Sequence, residues 1–273
     1  MSLRNRVTSL ISRHYGKLPL SAITAVCEKY LRAYYNTANW DIPLNGEAYA
    51  LSFALDRFDG DVLDVGANFG DWAIAAIPHL RPGQKIHCFE VVPQLRETLA
   101  EKLKPWGSSV VINDFGLGAN NGSEQINFDQ SMHTISSKFP LIYRHASPCV
   151  VTARICTGDT YLRAAEIRRV AMIKVDVEGM EMEVLSGFRE SFARGMVSAV
   201  QFEHGPSHVL SGHTLRDFVR FFEQVGFEVY EMFPNKLIKL EYRFSKENYA
   251  GRNFLALKSG DPSLIIRTVR TSQ

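Results

Sequence analysis

Only four cysteines, Cys27, Cys88, Cys149 and Cys156, are scattered over the 273 residues. Their irregular spacing contains no C-x-x-C pair, which argues against a disulfide framework or a thiolate zinc site and suits unpaired thiols in a reducing compartment. Net charge is nearly absent too: 31 Lys and Arg stand against 29 Asp and Glu, a formal +2. No global basic field therefore argues for nucleic acid as a partner. No apolar run approaches the roughly 18 residues that a transmembrane helix needs. The opening stretch, MSLRNRVTSLISRHYGK, carries scattered charges and has no signal-peptide core. Internal repeats and low-complexity linkers are missing as well. These absences lead to the expectation of a soluble, cytoplasmic chain with one hydrophobic core, near the upper size for one.

In a chain that is 45% hydrophobic, the pattern carries more than the total. Residues 1–57 read as a helical N-terminal extension. Val7, Leu10 and Ile11 follow a helical stripe, as do Ile23, Val26, Tyr30 and Tyr34, with Pro19 between the two segments and Ser21 as a candidate N-cap. Arg4, Arg6, Arg13, Lys17, Lys29 and Arg32 face a single acid, Glu28. That excess is either a solvated helix face or a platform for an acidic or membrane-bound substrate.

Residues 58–273 alternate between short apolar runs and helical stretches. Strands are predicted at 62–65, 85–90, 110–114, 171–177 and 197–203, with helices such as 93–104 and 179–189 between them. Such alternation implies βαβ units and a doubly wound, mostly parallel α/β sheet. Two strand-like runs, 125–128 and 150–155, flank the polar loop SMHTISSK and read as an inserted hairpin over one end of the sheet. The runs 227–232, 237–242 and 253–258 have no helix between them, so they must pair antiparallel.

Ligands of such sheets bind outside the carboxyl ends of the strands. Every notable polar residue falls at such an end. The first run delivers Asp64, then the loop Gly66-Ala67-Asn68-Phe69-Gly70; the second ends at Glu90-Val91; the third at Asp114-Phe115-Gly116; the fourth at Asp176-Val177-Glu178-Gly179; the fifth at Glu203-His204-Gly205. The loop lacks the G-x-G-x-x-G spacing of dinucleotide binding. Glu90 is placed to accept hydrogen bonds from a ribose diol. Asp64 and Asp71 bracket the loop, where they would repel a pyrophosphate but suit the amino group and sulfonium of S-adenosyl-L-methionine. Gly66 lets backbone approach the ligand, and Asn68 offers a donor and an acceptor. Taken alone the loop is equally well a plain strand–helix turn, and Glu90 and Asp114 in register tip the balance toward the methyl donor.

The stretches DVGANFG, HCFEVVPQLRETL, IKVDVEGMEMEVLSGF, VSAVQFEHG and RNFLALK, in this order over residues 64–258, resemble the FkbM family of methyltransferases. The resemblance implies a seven-stranded class I methyltransferase fold with an antiparallel last strand, S-adenosyl-L-methionine as cofactor with S-adenosyl-L-homocysteine as product, and O-methylation of a sugar or secondary-metabolite hydroxyl. Carried over by position, Asp64, Gly66, Asn68 and Gly70 match the cofactor loop and Glu90 the ribose acid. Asp176, Glu178, Gly179 and Glu181 match the second signature, and Glu203 ends the fifth strand. Glu47 is a further candidate for the cofactor's amino group. The chain departs from the family where FEP is replaced by Phe89-Glu90-Val91, and in the segment Cys156-Thr157-Gly158-Asp159.

Methyl transfer from a sulfonium needs alignment and removal of the acceptor's proton. An aliphatic hydroxyl titrates near about 15.7, so a free alkoxide at pH 7 costs on the order of 12 kcal/mol. A general base is the usual remedy. His204 is the expected base, since an imidazole titrates near working pH; Asp176, Glu178 and His133 are the other candidates. Asp176 is expected to orient the acceptor or the amine, with Glu203 beside it. Asp176, Glu178 and Glu203 also offer oxygens to Mg2+, which is not favoured, and no metal site is expected. His204, His208 and His213 do not share a helical face, because Gly205-Pro206 intervenes, which argues against zinc. The competing readings are a nicotinamide-dependent oxidoreductase and a cofactor-binding module without activity. The expected acceptor is a small molecule or saccharide, acidic or lipid-linked if the basic helices take part, and no nucleic acid.

Overall fold

Residues 1–39 and 40–273 form two compact units, and the computed structural model describes residues 2–129, 136–140 and 148–260 of the chain. The first unit holds α1 (Leu3–Arg13) and α2 (Leu20–Tyr35). Ser2 starts α1 by accepting a hydrogen bond from the Asn5 N–H. Asn36, at φ 52°, ends α2 in the left-handed conformation that asparagine tolerates. No side chain of either helix is buried.

The second unit begins with α3 (Glu47–Leu55), β1 (Asp61–Val65), α4 (Asp71–Ala76), β2 (Ile86–Phe89), α5 (Pro93–Leu103) and β3 (Val110–Asn113). It continues through β4 (Gly116–Leu117), β5 (Gly122–Asp129), β6 (Ser136–Ser137), β7 (Pro148–Cys156) and α6 (Gly158–Ala164). Then come β8 (Val170–Val175), α7 (Glu181–Ser186), α8 (Arg189–Ala193), β9 (Ala199–His204), α9 (His208–Ser211) and α10 (Leu215–Gln224). The hairpin β10 (Phe227–Phe233) and β11 (Lys236–Lys239) precedes β12 (Arg252–Lys258), the last strand among the described residues. The reading that grouped residues 1–57 as the extension placed its boundary later than the division at residue 39. The helix α3 belongs with the sheet because Ala50, Leu51, Ala54 and Leu55 are buried against it.

Among the described residues, eight strands form the main sheet in the order β11-β10-β12-β9-β8-β1-β2-β3. β1, β2, β3, β8 and β9 are parallel, and β12 runs antiparallel between β9 and β10. The expected seven strands are thus eight, with the antiparallel last strand present. The additional one is β11, which turns back on β10 with Tyr230 opposite Lys239 and Phe233 opposite Lys236. The central strands read as continuous apolar runs because both faces are covered. Leu63, Val65, Ile173 and Val175 pack into one cluster with the phenylalanines of α8 and α10, while Val62, Ile86 and Met172 pack into another with α3 and α4.

The expected inserted hairpin is present as β5 and β7, antiparallel from Gly122 opposite Ile155 to Asp129 opposite Pro148. It belongs to a second sheet, in the order β4-β7-β5-β6. His133 and the first half of the polar loop lie outside the described residues.

Candidate functional site

Two loops cross at the carboxyl ends of β1 and β8. Gly66 begins the first at φ 82°, and a Cβ there would lie 1.9 Å from the Asp176 carbonyl oxygen. The glycine expected to admit a ligand thus admits the neighbouring loop's backbone, and only glycine fits. The Gly66 and Ala67 N–H groups both donate to the Phe89 carbonyl, at 3.1 and 3.0 Å, and the Gly70 N–H donates to Ala67 at 2.8 Å. The Asn68 N–H donates to Glu90 Oε2 at 2.9 Å. Asn68 itself sits at φ 49°, a left-handed conformation for a side-chain-bearing residue.

Beside this crossing lies a pocket walled by the ends of β1, β2 and β8 and by the second sheet. Gly66, Glu90, Val91, Gly116 and Asp176 line it together with Ile126, Ser137 and Ile155. Its wall is mostly apolar, and its polar side chains are Glu90, Asp176, Ser136, Ser137 and Lys138. Glu90 is buried, and its second oxygen, Oε1, accepts the Val92 N–H at 2.8 Å. Burial raises its pKa, and the two backbone N–H donors hold it down. Each oxygen accepts one protein N–H and retains lone-pair capacity for a further donor.

Behind the loop, Asp64 is fully buried and faces Lys174 rather than the pocket. The Lys174 Nζ lies 3.4 Å from Asp64 Oδ1 and 3.3 Å from Asp176 Oδ2, and donates to the Gly66 carbonyl at 3.2 Å. Burial disfavours the Lys174 cation, but Asp64, Asp176 and Glu47 outweigh it and raise its pKa. Lys174 was not anticipated as a site residue. Its signal was a lysine inside β8, whose six residues are all buried. Asp71, expected as the second acid at the loop, instead forms an exposed pair with Lys102 at 2.7 Å. The bracket of two acids is therefore not assembled.

Glu47 is buried at the start of α3, where Asn45, Gln201 and Asn253 donate to it at 2.9, 2.5 and 3.3 Å. Burial raises its pKa. Asp114 pairs with Arg154 at 3.3 Å on the surface, in a shallow depression with Arg96 and Asn113 that is separate from the Glu90 pocket. Phe115 packs edge-on against Phe89 and Tyr161 at 5.7 and 5.8 Å. Of that trio, Gly116 alone lines the pocket.

The second loop gathers three acids. One carboxylate oxygen each from Asp176, Glu178 and Glu203 lies within 4.8 Å of the others. Burial, then Asp176 and Glu181, push the Glu178 carboxyl up to about 8. Burial and the Asp176 and Glu178 charges also raise Glu203 well above the carboxylate range. Glu178 stands at φ 52°, followed by Gly179 at φ 101°. The loop keeps that shape because Glu181 accepts the Val177 and Gly179 N–H groups at 3.0 and 2.9 Å. Glu181 Oε2 in turn lies 2.8 Å from His208 Nε2, while His208 Nδ1 accepts the Gly205 N–H at 3.1 Å. Glu181 and His208 thus brace the loop.

His204 departs from the expectation of a base near neutral pKa facing the acceptor. It is buried between His208 and Tyr249, each with ring centroids 4.9 Å away, and it does not line the pocket. Burial and His208 lower its pKa to about 4, and its Nε2 has no hydrogen-bond partner among the described residues. The strand-end position placed it correctly in β9, but the side chain faces the packing of α9 and α10 because Gly205 and Pro206 turn that segment back over it.

Over residues 64–229 the chain matches the family described as the methyltransferase FkbM domain. It is 26% identical over 146 residues to the hexuronic acid methyltransferase AglP of Haloferax volcanii, covering 53% of this chain and 57% of that protein. The chain thus spans little more than half the length of that curated relative. Among solved structures it is similar to the O-methyltransferase TomG of Streptomyces achromogenes, determined with S-adenosylmethionine, at a TM-score of 0.44 and 14% identity over 78% of this chain and 80% of that one. It is also similar to the methyltransferase FkbM of Methylobacillus flagellatus, at a TM-score of 0.42 and 16% identity over 74% of this chain and 44% of that one. The domain match begins at Asp64, ends at Val229 and takes in the loops after β1, β2, β8 and β9, more than half of the sequence: the chain belongs to the FkbM methyltransferase family.

Proposed function

We propose that this protein is an S-adenosyl-L-methionine-dependent O-methyltransferase whose acceptor is a carbohydrate hydroxyl. The observation that carries the reading is the state of the first loop. Its N–H groups at residues 66, 67, 68 and 70 are all donated within the protein, so the loop offers no cradle for a pyrophosphate. The nicotinamide alternative needs that cradle. A nucleoside with a cationic arm does not, and the Glu90 carboxylate in the wall of a mostly apolar pocket is placed to accept from a ribose. The acceptor class is supported by AglP, which acts on a hexuronic acid.

In this reading Glu90 accepts hydrogen bonds from the ribose hydroxyls, while Ile126 and Ile155 pack against the base. The cofactor supplies a methyl group on a sulfonium. Asp176 stands at the border between the pocket and the three-acid cluster, where the acceptor hydroxyl has to arrive. Alignment of two bound reactants is worth roughly 7–11 kcal/mol. The proton passes to the acid cluster, with Glu178, poised at about 8, as the base in place of His204. A base is most effective when its pKa lies near the operating pH. Because the three acids interact, the apparent value belongs to the cluster.

Isothermal titration with S-adenosylhomocysteine and with NAD decides the cofactor: binding of NAD alone overturns the reading. Incubation with labelled methyl donor and glycans containing hexuronic acid decides the acceptor, and an unlabelled panel in a protein that binds the cofactor points to a binding module. A parallel reaction in EDTA shows whether the three carboxylates act without a divalent cation.

A further inference from the structure

We propose that residues 2–35 dock this protein onto an anionic lipid bilayer surface, with α1 and α2 lying in the headgroup plane. Leu3, Val7, Leu10 and Ile11 line one side of α1 at helical spacing, and they are 78%, 48%, 60% and 50% exposed. The opposite side carries uncharged Asn5, Thr8, Ser9 and Ser12. At 3.6 residues per turn, Arg4 falls on one border of the apolar stripe and Arg6 and Arg13 on the other. Such a helix can sink its stripe while the arginine stems run along apolar surface and the guanidinium groups reach out to phosphates. The second helix shares the apolar part of this arrangement: Ile23, Val26, Tyr30 and Tyr34 share a face and are all exposed, with Lys29 at its border and Arg32 on the opposite side.

Contiguous exposed apolar faces mark interaction sites, and the charges choose the occupant. Six cations against the single acid Glu28 match a surface of phosphates. A second copy of this chain would instead bring the bordering arginines of two α1 helices together, which like-charge repulsion opposes. Neither helix is long and apolar enough to cross a membrane, so the mode is lying on the bilayer. The inference stands on the first unit alone and does not depend on the methyl-transfer reading.

The test is flotation of the full chain with vesicles of phosphatidylcholine alone and of phosphatidylcholine with an equal part of phosphatidylglycerol. The protein is expected to float with the anionic vesicles, to stay behind with the zwitterionic ones, and to be released by high salt. Arg6→Gln with Arg13→Gln should weaken binding about 25-fold, roughly fivefold for each cation near the surface. Leu10→Ser with Ile11→Ser should abolish flotation. These side chains are exposed, so circular dichroism and cofactor affinity should match the wild type in every variant. No flotation at low salt overturns the proposal, as does flotation unchanged in both double variants. A concentration-dependent dimer that Leu10→Ser dissolves, without vesicle binding, assigns the face to a second copy and overturns it too.

Discussion

Lys174 holds together more of the site than any residue the sequence pointed to, because one buried ammonium faces Asp64, Asp176 and the Gly66 carbonyl. Removing a partner from a buried pair leaves an uncompensated charge, at a cost of about 3–5 kcal/mol. Lys174→Met should therefore lower stability by about that amount in urea denaturation, and an unchanged midpoint would mean that Asp64 is neutral. Glu90→Ala removes the carboxylate from the pocket wall and should weaken S-adenosylhomocysteine binding by about 1.5–3 kcal/mol in calorimetric titration. For His204 the packing gives a different expectation from its motif position. His204→Phe preserves the ring stacking and removes an orphaned nitrogen, so kcat should fall less than about tenfold, whereas loss of a general base costs roughly 10²–10⁴. The strand-end acids were legible in the sequence as positions, because strand ends are fixed by apolar runs. Their partners were not: Asp71 and Asp114 turn to Lys102 and Arg154, cations distant in sequence that no local pattern connects to them.

At the scale of elements, the crossing of two loops determines the shape of the site. Gly66→Ala would place a methyl against the Asp176 carbonyl and hold a non-glycine residue at φ 82°, the conformation alone costing roughly 1–2 kcal/mol. The loops should separate, so cofactor affinity is expected to fall at least about tenfold together with the thermal midpoint; normal affinity would show that the loops move independently. Parallel strands and their order of appearance were readable from alternation alone, since burial on both faces writes continuous apolar runs. The second sheet was readable only as a hairpin, because β4 and β6 are two residues each, too short to carry a period. The helices before the sheet differ among themselves: α3 is apolar nearly all round, as a helix buried in a core is, whereas α1 and α2 each carry one apolar stripe.

Among the shifted groups, Glu178 and His204 titrate in opposite senses. Glu178 is raised from 4.5 to about 8 by burial and neighbouring acids. Its contribution to stability is complete below about pH 4.5 and is lost as pH rises through 8. His204 is lowered from 6.5 to about 4 by burial and His208, so its contribution is complete above about pH 6.5 and is lost as pH falls through 4. Between pH 4.5 and 6.5 the two slopes oppose each other, and above 6.5 the His204 slope is gone while the Glu178 loss continues. Glu178→Gln should therefore gain in thermal midpoint over the wild type as pH rises from 5 to 8, and a constant difference across that range would show that Glu178 ionises normally.

The position of β12 bears on how such a chain is made. Arg252 to Leu257 pair with β9 on one side and Phe227 to Glu231 of β10 pair on the other, so a strand synthesised well after its neighbour β9 occupies the interior of the sheet. Elongation proceeds at about 5–20 residues per second, and for seconds β9 waits with an unpaired, apolar edge. The nascent chain can order β1, β2, β3 and β8 as they emerge, but it cannot close. Folding is thereby withheld until synthesis has reached Lys258, and a message cut short before Arg252 yields a polypeptide with two open strand edges, the kind of species that chaperones and proteases intercept.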